Sequence, residues 1–183
     1  VKYWMHNNLI TIDGQKMSKS LGNFITLDEM FSGDHELLEQ AYSPPVVRFF
    51  MLQAHYRSTL DFSNKALQAA EKGLERLMKG IEVLEKISPA GTSSFNVSEI
   101  KENCYAALND DINTPILIAH LFDGIKKINS TLTGDESLTS EDLKELGDLY
   151  RTMTFEILGL KTEKSSGSDS KFNEVMNLHL NVR

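Results

Sequence analysis

Only one cysteine, Cys104, occurs among the 183 residues. No intramolecular disulfide can form, and a reduced, cytoplasmic protein is the expectation. The Asn-x-Ser/Thr matches at Asn96 and Asn129 are read as chance on the same ground. No apolar run approaches the roughly 18 residues that a membrane helix needs, so the reading has no membrane-spanning helix. Positive charge is also scarce, with 19 Lys and Arg against 26 Asp and Glu and a net charge of -7. Sequence-independent nucleic-acid binding depends on clustered Lys and Arg that neutralise phosphates, so this balance argues against a broad basic surface and leaves only local contacts from particular residues. What remains is ordinary: 40% hydrophobic and 25% charged residues, enough for a real core. Position 1 is Val, and an apolar run lies just before Arg183, so both ends are expected to be cuts within a longer chain.

Patterning predicts a short mixed segment followed by helices. Tyr3, Trp4 and Met5 read as the end of a helix, Leu9 to Ile12 as a strand, and Asp13-Gly14 as a turn. Leu21-Gly22-Asn23 breaks regular structure, and Thr26 with Glu29 has the spacing of a capping box opening a helix near Asp28 to Phe31. Ser43, Pro44 and Pro45 start a dense apolar helix over Val46 to Tyr56. A second starts near Ser63, with Leu67, Ala70, Leu74, Leu77, Ile81 and Leu84 alternating at three and four as a packing seam. Further helices are expected from Ser98, from Thr114 as N-cap with Pro115 behind it, and from Thr139 or Ser140 to a terminator at Gly159. The Ser- and charge-rich stretch Lys161 to Lys171 reads as a linker, and Phe172 to Val182 as the opening of another helix. The sum is mainly α: residues 1–42 as a small α/β segment, 43–160 as an antiparallel helical bundle, 161–183 as linker and helix start.

The chemistry concentrates in Lys16-Met17-Ser18-Lys19-Ser20. Two lysines three apart, among small hydroxyl residues, offer a loop two ammonium charges and several donors to phosphate oxygens. A loop can close on a nucleotide and reopen for product release. A solvated basic turn is the bland alternative for these residues alone. The strand and Asp-Gly turn before them, and the Leu-Gly-Asn break and capped helix after them, favour the phosphate-binding reading.

The text KMSKSLGNF resembles the signature loop of class I aminoacyl-tRNA synthetases. VVRFFMLQAHYRSTLDFS (Val46 to Ser63), YWMHNNLITIDGQKMSKS and LNDDINTPILIAHLFD resemble, in turn, segments of the cysteinyl-tRNA synthetase family. The resemblance implies a class Ia architecture, with the end of the catalytic domain and a stem-contact segment leading into a helical domain of the anticodon-binding type. It implies ATP-dependent activation of L-cysteine and transfer to tRNA(Cys), with Mg2+ accompanying ATP. Lys19 would contact ATP and stabilise the leaving pyrophosphate as the main catalytic group, Lys16 would assist, and Met17, Ser18 and Ser20 would shape the ATP site. The zinc and upstream histidine motif that the family implies have no counterpart in this sequence, so the chain alone is expected to be inactive and, as a protein, a monomer. Two other readings stand beside this one: a related ligase joining cysteine to an amino sugar, and a noncatalytic helical RNA- or protein-binding module that retains the loop.

Other residues carry weaker signals. Arg57 and Arg48 are candidates for contact with the tRNA backbone, although His55, Tyr56 and Arg57 could equally close the apolar helix and meet its dipole. Lys65, Lys72, Arg76, Lys79 and Lys86 share their helix with Glu71, Glu75, Glu82 and Glu85 and read as a solvated face with Glu75–Lys79 and Glu82–Lys86 pairs. Asp110 and Asp111 read as a helix terminator, Cys104 as a buried inert thiol, and no set of His and Cys has the spacing of a metal site.

Overall fold

The computed structural model describes residues 1–161. Leu9 and Ile10 bring the chain into strand β1 (Ile10–Ile12), and Asp13 and Gly14, both at positive φ (49° and 77°), reverse it into β2 (Gln15–Lys16). A third strand, β3 (Leu60–Phe62), pairs parallel to β1, giving the sheet order β2-β1-β3. Helix α1 (Leu27–Ser32) opens on the expected capping box, in which Thr26 and Glu29 bond reciprocally.

Helix α2 (Pro44–Leu52) carries Val46, Val47, Phe49 and Phe50 into the core. It is followed by α3 (Asn64–Leu84), capped by Ser63, whose Oγ accepts from the Ala66 N–H at 3.3 Å. The seam along α3 is buried at Leu67, Ala70, Leu74 and Leu77, and half-buried at Ile81 and Leu84. Helices α4 (Val97–Asn109), α5 (Thr114–Thr133) and α6 (Ser140–Tyr150) follow, and the backbone of Arg151–Ile157 continues α6 as a π-helix. Helix α3 packs on α2, α5 and α6, and α4 packs on α5 and α6. A continuous cluster of buried side chains runs from Ile12 and Ile25 through to Leu158 and Leu160. The described part is thus mainly helical with a small sheet at one end of the chain.

Three local expectations are corrected. No helix ends at Tyr3 to Met5. These side chains are 86%, 74% and 61% exposed and have no apolar surface to stabilise a short helix, whose first turn is costly to nucleate. Helix α2 stops at Leu52, four residues before the expected end at Tyr56. Its last turn tightens as the Ala54 N–H bonds to the Met51 carbonyl (3.3 Å), and the Tyr56 and Arg57 carbonyls instead accept from the backbone and side chain of Asn8, each at 3.0 Å. His55, Tyr56 and Arg57 therefore do not cap that helix. The cap of α5 is Asn113, not Thr114, because the Asn113 side chain reaches the Ile116 N–H (3.5 Å) and Thr114 is already the first helical residue. The linker and final helix expected over 161–183 lie outside the described residues, apart from Lys161. No helix among the described residues is long and apolar enough to cross a membrane.

Candidate functional site

The β1–β2 hairpin delivers Lys16 at the end of β2, where it pairs with Thr11. The Met17 N–H adds one more bond to the Ile10 carbonyl (3.3 Å), and the half-buried Met17 side chain packs against the core. Lys19–Leu21 form a single 3-10 turn, closed by bonds from the Leu21 N–H to the Ser18 carbonyl (3.3 Å) and from the Gly22 N–H to the Lys19 carbonyl (3.2 Å). Gly22 ends that turn at φ 69°, a backbone conformation in which glycine has no side-chain penalty. The hydroxyls of Ser18 and Ser20 lie 3.3 Å apart. Lys16, Lys19 and Ser20 are exposed, and Lys19 Nζ stands 5.4 Å from the centroid of the Phe24 ring. The five candidate residues thus sit together on one anchored surface turn, with both ammonium groups facing solvent.

Three polar supports were not legible as such in the sequence. The Asn23 side chain accepts from the Ser18 N–H (2.8 Å) and donates to the Lys16 carbonyl (3.1 Å). Asp61 on β3 sits in register with Thr11 and accepts from the Thr11 hydroxyl (2.6 Å) and from the Gly14 N–H (2.8 Å), fastening the hairpin to its neighbour. Asp111 sits at φ 56° and Ile112 at φ 55°, and the carboxylate of Asp111 reaches back to Tyr56 Oη (2.7 Å) and Arg57 Nε (3.0 Å). A β-branched residue such as Ile112 is rarely found in that region, so this turn is strained, and the bonds of its Asp111 neighbour help hold it.

The hydrogen bond from Thr11, and after it that from Gly14, holds the Asp61 carboxyl below its usual range. A carboxyl lowered on folding stabilises the native state in full above its unfolded value of about 4, and the contribution is lost as pH falls through the lower folded value. Thermal midpoints of the wild-type chain and Asp61→Asn are therefore expected to differ most near neutral pH and to converge as the pH is taken well below 4. A difference that stays constant across that range would refute the charge-based account. The group is largely exposed, so the effect is modest.

The two arginines proposed from sequence occupy different settings. Arg57 bonds Tyr56 Oη (3.0 Å) and Asp111, and these partners, Tyr56 first, raise its pKa further. Arg48 is exposed on α2 and runs alongside Gly159, where an added Cβ would come within 3.3 Å of its Nη1. Of the two expected Glu–Lys pairs, Glu75–Lys79 forms at 3.6 Å on α3, and the neighbouring Arg76 guanidinium stacks over Phe122 of α5 at 5.4 Å. Cys104 is fully buried, and burial pushes its thiol up to about 11, which leaves it protonated and unreactive at neutral pH. Among the described residues no group of three or more His, Cys, Asp or Glu could hold a metal ion.

Residues 1–72 match the family model described as the tRNA synthetases class I (C) catalytic domain, and residues 103–163 match the DALR domain model. The sheet and loop thus lie in the stretch that resembles a class I tRNA synthetase catalytic domain, and most of α4 to α6 in the stretch that resembles a DALR domain. Along its whole length the chain is, more particularly, a homologue of cysteine–tRNA ligases. It is 57% identical over 185 residues to the cysteine–tRNA ligase of Bacteroides fragilis, 51% over 185 residues to that of Porphyromonas gingivalis and 39% over 189 residues to that of Chlorobaculum tepidum. Each alignment covers 100% of this chain and 37–38% of the relative, so the chain spans well under half the length of these curated relatives.

Proposed function

We propose that this chain is part of a cysteine–tRNA ligase that activates L-cysteine with ATP and transfers it to tRNA(Cys). The observation that carries the reading is similarity to cysteine–tRNA ligases along the whole of this chain, together with an exposed turn presenting two lysines and two hydroxyls on an anchored hairpin. In this reading the loop is the KMSKS loop. Lys19 stabilises the negative charge that builds on the departing pyrophosphate, Lys16 assists it, and Met17, Ser18 and Ser20 hold the ATP-binding turn in shape. Mg2+ accompanies the nucleotide. Zinc would select the cysteine thiol through residues beyond this chain; among the described residues there is no fitting ligand set.

Residues 1–42, with β3 added to their sheet, close the catalytic domain, and the helices of 43–160 form an antiparallel bundle along the tRNA. Arg48 is free to meet a backbone phosphate, whereas Arg57 would have to exchange Asp111 for one. The protein works as a monomer in the cytoplasm, and the 183-residue chain alone is inactive. The deciding experiment assays the parent enzyme for cysteine-dependent ATP–pyrophosphate exchange and for loading of tRNA(Cys). Both activities are expected. Exchange without tRNA loading would point to an acceptor such as an amino sugar, and absence of exchange would end the ligase reading.

A further inference from the structure

We infer that Asn23 is a positioning residue for the two loop lysines, an inference that rests on the function proposed for the loop. Its side chain bonds to main-chain atoms on either side of Met17: Oδ1 accepts from the Ser18 N–H at 2.8 Å, and Nδ2 donates to the Lys16 carbonyl at 3.1 Å. A primary amide is suited to this, since it carries an acceptor and a donor in one rigid plane. Alanine has neither, and aspartate lacks the donor and would add a negative charge beside two ammonium groups.

The clip closes because Gly22, at φ 69°, turns the chain back on itself directly after the 3-10 turn and returns position 23 to the start of the loop. Met17 provides the fixed point, through its half-buried side chain and its bond to the Ile10 carbonyl. Lys16 and Lys19 therefore leave the two ends of a clipped turn whose backbone is held by side-chain as well as main-chain bonds. The clip lies on the surface and adds little to the core, so its role is to set where the two ammonium groups stand. Charge stabilisation in a transition state depends steeply on that placement, with a displacement of about 1 Å costing on the order of 100-fold in rate.

The test uses the parent enzyme carrying Asn23→Ala, Lys19→Ala, or both, with cysteine-dependent ATP–pyrophosphate exchange and the thermal midpoint as readouts. Asn23→Ala is expected to lower kcat by about 10- to 100-fold, with KM for cysteine and the thermal midpoint nearly unchanged. In the Lys19→Ala background the same substitution should cost markedly less, because only the assisting Lys16 is left to position. A wild-type rate for Asn23→Ala beside a strongly impaired Lys19→Ala would overturn the positioning role and leave the loop function standing. An Asn23→Ala loss that is undiminished in the double variant, or that tracks a drop in thermal midpoint, would also overturn it. A wild-type rate for Lys19→Ala would instead refute the loop function itself.

Discussion

Lys19→Ala in the parent enzyme should lower cysteine-dependent ATP–pyrophosphate exchange by about 100- to 1,000-fold, the usual cost of removing one preorganised donor from developing charge. The expectation follows from when the charge appears. As the cysteine carboxylate attacks the α-phosphorus, the bond to pyrophosphate breaks and negative charge accumulates on the leaving oxygens, so a fixed ammonium group gains more in that state than in the ground state. Lys19 sits on the 3-10 turn beside the Phe24 ring, and its side chain is exposed, so its removal leaves the core intact. The loss should therefore fall mainly on kcat, with KM for cysteine little altered. Lys16→Ala should follow the same pattern with a smaller loss. An exchange rate for Lys19→Ala within a few-fold of wild type would remove the group from the mechanism.

The second large effect is structural. Gly124→Ala is expected to destabilise the chain by about 2–4 kcal/mol and to lower its thermal midpoint by roughly 5–15 °C. Gly124 lies on α5 where Tyr150 of α6 crosses it, and a Cβ at that position would lie 2.4 Å from Tyr150 Oη. Tyr150 is fully buried, and its hydroxyl donates to the Leu121 carbonyl at 2.6 Å, so the ring cannot withdraw without leaving a buried hydroxyl unpaired. Alanine gains about 1 kcal/mol of helix propensity over glycine, which overpacking of about 1–3 kcal/mol and a lost buried hydrogen bond of about 1–3 kcal/mol exceed. Combining Gly124→Ala with Tyr150→Phe removes the clashing oxygen. The double variant should be more stable than the sum of the two single losses, and strict additivity in chemical denaturation would show that this contact is not the cause.

Local signals in the sequence were reliable where a side chain acts on its own neighbours. The Thr26–Glu29 capping box and the Asp13-Gly14 turn form as read, the helix expected from near Ser63 starts on a Ser63 cap, and of Thr139 and Ser140 it is Thr139 that caps α6, because each signal needs only residues within four positions. The seam from Leu67 to Leu77 is buried for a similar reason: a helical period of 3.6 places those positions on one face whatever the partner is. Readings failed where distant groups compete. The end of α2 is set by Asn8, 48 positions before Tyr56 in the chain, which takes the Tyr56 carbonyl (3.0 Å). Strand β3 is only three residues long, so the apolar-polar-apolar order of Leu60, Asp61 and Phe62 is too short to announce a strand until β1 lies beside it. The left-handed pair Asp111 and Ile112 contains no glycine to announce it.

For the loop itself, the sequence alone determined the chemistry: two ammonium groups, two hydroxyls and a glycine at a turn, in an order that resembles one enzyme class. Residue type and spacing suffice for that, since charge and hydrogen-bonding capacity are properties of the side chains. Only the tertiary structure decided how those groups are held. Asn23 reads as a mere loop residue until Gly22 folds it back onto Lys16 and Ser18, and Asp61 reads as a surface acid until the parallel pairing of β1 with β3 sets it against Thr11 and Gly14. Hydrogen bonds between distant residues depend on where the backbone brings them together, and packing across the whole core sets that placement.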